Sequence, residues 1–331
     1  MTIRIGEQAL GFAPDSGGAE TVLYADSSGT VLVPPSLKLG DAEFARQGAN
    51  LLITAADGAK FLVRDYFDQP VALSTPNGGS FAADLVLGLA GPQAPGQYAQ
   101  ANTAGDVSAA AASAPIGRVT TVDGEVSITR VDGTVVELAV DSLVFAGDVL
   151  VTSENSAIGL VFNDQSIFSM GADSRMILDK LVYNPESGEG SSTFSVVKGI
   201  FSLVSGEIGA NNPDAMVVRT PGATLAIRGT KVAGDVDETE SSFILLQEAN
   251  GYVGAFVINT NFGEIVVDEK NVAILLTSPF LPPKLHVYTD AEVNAQFGGA
   301  LGALGDQGTA ITLKKTTTRR TTKRCCKIWA T

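Results

Sequence analysis

Four sets of residues in this chain are of types that could do chemistry. Asp235, Asp237, Glu238 and Glu240 crowd into "GDVDETE" (234–240), and alternating carboxylates at a strand end can ligate calcium, which takes six to eight oxygens. Like charges this dense more often form a solvated turn, so calcium is the alternative and no metal is assigned firmly. Arg228 lies near the end of a second stretch, "RTPGATLAIRGT" (219–230). Its planar fork could grip an anionic ligand, but the favoured reading is structural, with Arg228 donating to carbonyls and carboxylates at a bend. His286 is the only histidine, and it reads as a structural or surface residue. Cys325 and Cys326 are the only cysteines and adjoin each other near the end of the chain.

These sets leave little room for catalysis. With no cysteine before Cys325 and no second histidine, zinc sites and Ser-His-Asp or Cys-His chemistry lack their parts. Neither a P-loop nor a dinucleotide fingerprint occurs, and the nonapeptide calcium repeats of exported proteins are missing too. An enzyme would have to rest on a carboxylate pair, as glycosidases do, and the sequence singles out no such pair. The expectation is a non-enzymatic protein without a cofactor.

The elements that must position these residues read as strands. The 331 residues are 45% apolar with a mean hydropathy of +0.21, enough for a sizeable core. β-Branched residues and frequent Gly-containing turns favour an all-β class. Residues 1–90 read as a small N-terminal β module. In it, "ETVLYADSSGTVLVPP" (20–35) is strand, turn, strand. "ANLLITAADGAKFLVRDYF" (49–67) turns at Asp57-Gly58, where a type I′ hairpin would need positive φ at both residues. Leu51, Ile53, Phe61 and Val63 then share a face. Residues 91–114, rich in Ala, Gly and Pro, read as a linker.

From 115 to 280 short strands recur. "VDG" appears twice, nine residues apart, and Ile158, Leu160 and Phe162 alternate before an Asn-Asp turn. A sandwich, a barrel or an irregular β-solenoid fits this spacing. Thr220-Pro221-Gly222 predicts a type II turn with Gly222 at positive φ. Leu225 and Ile227 should then point inward, with Gly229 allowing a bulge or a close backbone approach. Residues 281–305 read as loop and one short C-terminal helix, because Thr289 and Glu292 form a capping box. That helix is expected to dock on the end of the β domain.

The charge is uneven. Residues 314–331 hold 7 of the 22 basic residues and no acid, which leaves the rest of the chain with 15 basic against 36 acidic residues, a net of −21. An acidic body argues against nucleic acid or an anionic membrane as partner and leaves a protein partner of unknown identity. The abrupt change at Lys314 reads as a shifted reading frame in 306–331, with a solvated tail or a basic binding arm as alternatives. No run approaches the roughly 18 apolar residues of a membrane span, and the N-terminus lacks the pattern of a secretory signal peptide.

Three motifs in order carry a family resemblance. "GDVLVT" (147–152) supplies Gly147, Asp148 and Thr152. "SAIGLVFNDQSIFSM" (156–170) follows, and "VVRTPGATLAIRGTKVAGDV" (217–236) supplies Thr220, Pro221, Gly222, Arg228, Gly229 and Thr230. Together they resemble the FecR family over about 115–275. The resemblance implies an all-β, twisted β-solenoid domain that binds or scaffolds protein. In its best-known members it relays receptor occupancy from behind a membrane helix and an anti-sigma segment. Neither of those segments is recognised ahead of the domain here, so what carries over is the fold. One departure is Gln165 where the family has Gly, which predicts a turn of another type. "GANLLITAADGAKFLVRDYF" and "LAGPQAPGQYAQA" resemble the starts of large bacterial surface proteins exported by one-step systems. The primary expectation is therefore a structural or interaction module of an exported, cell-surface protein. A FecR-type envelope regulator is the functional alternative, and a cytoplasmic location the alternative placement.

Overall fold

A computed structural model describes residues 13–14, 20–26, 29–76, 79–91, 114–212, 214–238, 240–277 and 281–304. Nearly all of the expected linker and the whole basic tail, with Cys325, Cys326 and Trp329, lie outside the described residues.

The N-terminal module is built from short strands and one helix. In chain order they are β1 (Ala13–Pro14), β2 (Glu20–Leu23), β3 (Thr30–Leu32), β4 (Glu43–Gln47) and β5 (Asn50–Thr54). β6 (Lys60–Val63), β7 (Ala72–Ser74), β8 (Ser80–Phe81) and α1 (Ala83–Ala90) complete it. β1, β2, β6, β5 and β4 form one sheet, and β3, β7 and β8 form another. The two strands of 20–35 therefore part company: β2 pairs in parallel with β6, and β3 in parallel with β7. The β5–β6 hairpin forms as the alternation requires, with Leu51 opposite Val63 and Ile53 opposite Phe61, all four buried. Helix α1 was not legible, because "ADLVLGLA" is as apolar as the strands around it and only eight residues long.

The second body is a sandwich of two facing sheets. Its first strands are β9 (Gly117–Asp123), β10 (Val126–Thr129), β11 (Val135–Glu137), β12 (Leu143–Val144) and β13 (Val149–Thr152). β14 (Ala157–Phe162), β15 (Ile167–Met170), β16 (Arg175–Asn184) and β17 (Glu189–Val204) follow. After the short α2 (Glu207–Asn211) come β18 (Met216–Arg219), β19 (Thr224–Arg228), β20 (Lys231–Val236) and β21 (Ser241–Leu246). β22 (Ala255–Thr260), β23 (Gly263–Val267), β24 (Val272–Leu276), β25 (Lys284–Val287) and α3 (Asp290–Ala303) end the described chain.

The front sheet runs β12-β9-β14-β15-β17-β20-β21-β24-β25, and the back sheet β11-β10-β13-β16-β17-β18-β19-β22-β23. β17 belongs to both. Its first half pairs with β16 and β18 behind, and Gly199–Val204 pairs with β15 and β20 in front. From β18 onward whole hairpins are dealt alternately to back and front, which makes a wound, open-ended sandwich. Inward residues of both sheets, among them Leu160, Phe168, Phe194, Phe201, Leu225, Phe243 and Phe256, form one continuous core.

Each outer face is covered by a flank of the chain. The module packs on the back sheet, where Val149, Ile177 and Val197 join its core beside Leu39 and Val86. Helix α3 lies across the outer face of the front sheet rather than on the end of the domain. Val293 and Phe297 pack there on Ala233, Ile244 and Ala273. Its predicted capping box is present, Thr289 Oγ1 accepting from the Glu292 N–H while the Glu292 carboxylate accepts from the Thr289 N–H at 2.7 Å.

Four hairpin loops whose residues are all described share one construction. At 55–59, 130–134, 162–166 and 248–252 the first residue's carbonyl accepts from the fourth residue, and its N–H donates to the fifth. That is a type I turn closed by one left-handed residue, not the type I′ turn expected at Asp57-Gly58. In each loop the third residue, Asp57, Asp132, Asp164 or Asn250, accepts the N–H two positions on through its side chain. The left-handed residue is Gly58, Gly133, Gly251 and, in the remaining loop, Gln165 at φ +65°. The turn at Gln165 is therefore of the same type as its glycine-bearing counterparts, contrary to expectation, because side-chain closure by Asp164 holds Gln165 in a conformation that glycine adopts more easily.

Candidate functional site

The three sequence motifs converge on the joints where the chain changes sheets. At the first, Gly147 turns at φ +86° and donates to the Leu178 carbonyl at 2.7 Å. Asp148 is 1% exposed, accepts the Phe145 N–H at 2.7 Å and pairs with Arg130. Arg130 also donates to the Leu143 carbonyl and stacks its guanidinium on Phe145. Burial pushes the Asp148 carboxyl above its ordinary range, against the lowering effects of the Phe145 N–H and Arg130. Thr152 is also buried. Its hydroxyl donates to the Gly171 carbonyl at 2.6 Å and accepts the Ser174 N–H at 2.9 Å. The Gly-Asp…Thr spacing thus ties three successive segments together by hydrogen bonds.

The second motif centres on Asp164, which is fully buried and forms no ion pair among the described residues. Its Oδ1 accepts from Ser166 N–H and Oγ, and its carbonyl accepts the Glu207 N–H at 2.8 Å, which fixes the start of α2. Burial is the dominant influence and raises this carboxyl. Glu207 in turn accepts from the Tyr183 hydroxyl, and chiefly that bond pushes the phenol up to about 12.

The third motif is Thr220 to Thr230. Gly222 is not at positive φ, so the expected type II turn does not form. The Thr220 hydroxyl closes the bend instead, accepting the Ala223 N–H at 3.2 Å and donating to the Ala223 carbonyl at 3.1 Å. Leu225 and Ile227 point inward and are fully buried, as the alternation predicts. Gly229 turns at φ +58°. Gly254 lies against this corner so closely that a Cβ on it would sit 2.7 Å from the Arg228 carbonyl oxygen and nearer still to that of Gly229. Thr230, fully buried, donates its N–H to Ser205 Oγ at 2.8 Å and accepts the Gly254 N–H at 3.2 Å. Arg228 itself points outward to pair with Asp214 at 3.0 Å, its side chain 36% exposed and that of Asp214 73% exposed.

Three of the four acidic residues share one cleft, and the fourth, Glu238, turns to the module. Among the described residues no group of three or more His, Cys, Asp or Glu side chains is arranged to hold a metal ion. Asp235 accepts from Gln296 of α3 at 3.0 Å, and Glu238 accepts the Gly40 N–H of the module at 2.6 Å. Burial raises the Glu238 carboxyl above its usual range. Asp235, Asp237 and Glu240 line an open cleft of about 580 Å³ with Thr277, Tyr288 and Gln296. His286 lies on the edge strand β25, exposed and edge-on to the Tyr288 ring.

The residues that sequence reasoning missed are partners rather than motif members. Arg130, Ser174, Ser205 and Gly254 each complete a joint from 18 to 25 positions away. Arg175, half-buried and donating to the Ala42 carbonyl at 2.6 Å, fastens the module to the back sheet, with Lys198–Asp41 and Arg219–Asp84 beside it. No local signal marks such residues, because their role exists only once the strands are stacked.

Comparison with known proteins agrees with this reading of the motifs. The model of the family described as FecR protein matches residues 148–253, so this stretch is similar to a FecR domain. It is narrower than the sandwich, which begins at β9 and ends at β25. Two crystal structures of a candidate anti-sigma factor from Parabacteroides distasonis are similar to the chain at 11% and 10% identity, each with a TM-score of 0.35. Each covers 44% of this chain, and the similar region spans 63% and 62% of their own length, less than two thirds. No curated protein matches the chain.

Proposed function

We propose that this protein is a FecR-type regulatory protein, a non-enzymatic module that responds to the state of a protein partner. The match of residues 148–253 to the FecR family carries the reading. The geometry of the motif residues agrees with it. Asp148, Thr152, Thr220 and Thr230 are consumed in bracing the chain, and none forms a nucleophile–base pair with a neighbour. What the fold offers a partner is surface: sheet edges and the faces that the module and α3 leave open. The exported-surface-protein reading rests on two short stretches, 48–67 and 89–101, the second of which falls mostly outside the described residues. A position outside the cytoplasm is part of the proposal and is tested by fractionation.

The deciding experiment compares transcripts of a strain lacking the gene with those of the wild type and of a complemented strain. A regulatory protein gives a discrete set of changed transcripts that the intact gene restores and a Gly254→Ala gene does not. Unchanged transcripts together with altered surface properties would instead favour the exported-surface reading.

A further inference from the structure

We propose that this chain forms a two-fold dimer by pairing β25 with β25 of a second copy, with His286 beside the two-fold axis. β25 is the last strand of the front sheet, and among the described residues only β24 pairs with it. The Tyr288 N–H donates to the Asn271 carbonyl at 2.9 Å, which sets the phase of that ladder. His286 and Lys284 therefore turn their backbone groups towards β24, and Leu285 and Val287 turn theirs away from the sheet. The same two residues carry apolar side chains 69% and 67% exposed, and only Val135 among the described large apolar residues is as exposed as Val287. Their register opposite Ile274 and Val272 places them on the core face of the sheet, at an end of the sandwich that no described element covers. Two unpaired donors, two unpaired acceptors and two exposed apolar side chains thus sit on one four-residue edge.

The occupant follows from symmetry. The free groups lie on two residues flanking one central residue. An antiparallel copy therefore pairs Leu285 with the second copy's Val287, and Val287 with its Leu285, in four backbone hydrogen bonds. The apolar side chains then meet on the core face, and the two His286 residues face each other as a non-hydrogen-bonded pair on the other. A longer partner strand gains nothing, because Pro282 and Pro283 lack donors on one side and the chain leaves the sheet for α3 on the other. The described chain ends far from this edge. The Ala303 carbonyl accepts from Thr121 on β9, seven strand spacings or about 33 Å from β25. Because each copy uses up its own free edge, assembly closes at two.

Sedimentation of the full chain over a concentration series tests this, with Cys325 and Cys326 replaced by Ser. The wild type should show a reversible dimer. Val287→Pro removes a donor that faces away from β24, so it should weaken the dimer roughly 30-fold while leaving the melting temperature close to that of the wild type. His286→Cys should cross-link the dimer on oxidation, and Lys284→Cys should not. A protein that stays monomeric throughout overturns the proposal, as does a dimer that survives Val287→Pro or cross-links through position 284 in preference to 286.

Discussion

Two Arg–Asp pairs, one at the start of the stretch that matches the FecR family and one inside it, differ in where the charge lies. In Arg130–Asp148 the carboxylate is 1% exposed, whereas in Arg228–Asp214 it is 73% exposed. The first carboxylate also accepts a backbone N–H inside the joint, so its removal leaves a donor and a cation without their partner. The second pair decorates a corner already held by Thr230, Ser205 and Gly254. One joint depends on a buried charge and the other on close backbone packing. From sequence alone Arg228 looked like the residue that mattered, and the structure moves that weight to the residues behind it.

The largest effect should come from the buried charge. Asp148→Ala strands the Arg130 cation and the Phe145 N–H, and should cost about 3 kcal/mol of stability. Denaturant unfolding checks this, and a loss below about 1 kcal/mol would erase the contrast between the joints. Gly254→Ala attacks the other joint through packing. Backbone carbonyls stand where the methyl must go, so the corner must open at a cost of about 2 kcal/mol. If Gly254→Ala melted like the wild type, the Arg228 corner would be held by its ion pair after all.

How much of this was legible depended on whether a feature was local. The alternation of Ile158, Leu160 and Phe162, the inward Leu225 and Ile227, and the Thr289–Glu292 box all follow from neighbours in sequence, and all are present. Turn types were less legible. Asp57-Gly58 and Thr220-Pro221-Gly222 each permit more than one turn, and a side-chain oxygen, of Asp57 or Thr220, decides which one forms. The joints were least legible, because Asp148 and Arg130 come together only through the β10–β13 pairing. The acidic run read as a solvated turn with a ligand set as the alternative, since sequence shows density rather than direction, and two of its carboxylates turn to α3 and to the module.

A smaller effect sharpens the contrast from the stabilising side. Gln165 occupies the left-handed position that glycine fills in the three sister loops, so Gln165→Gly should raise stability by about 0.5 to 1 kcal/mol, read as a higher melting temperature. A loss instead would mean that the Gln165 side chain contributes a contact outweighing its backbone strain.

Arg228→Ala should have the smallest effect of all. Its partner Asp214 is mostly in solvent, and exposed pairs contribute about 0 to 1 kcal/mol, less at high salt. The corner keeps Thr230, Ser205 and Gly254, so the melting temperature should shift by no more than a few degrees, and less still when salt is added. A loss of partner-dependent regulation with that small shift would make Arg228 a contact residue on a preformed corner. A loss of 2 kcal/mol or more would show instead that the guanidinium braces the turn, and the two Arg–Asp pairs would then be alike despite their exposure.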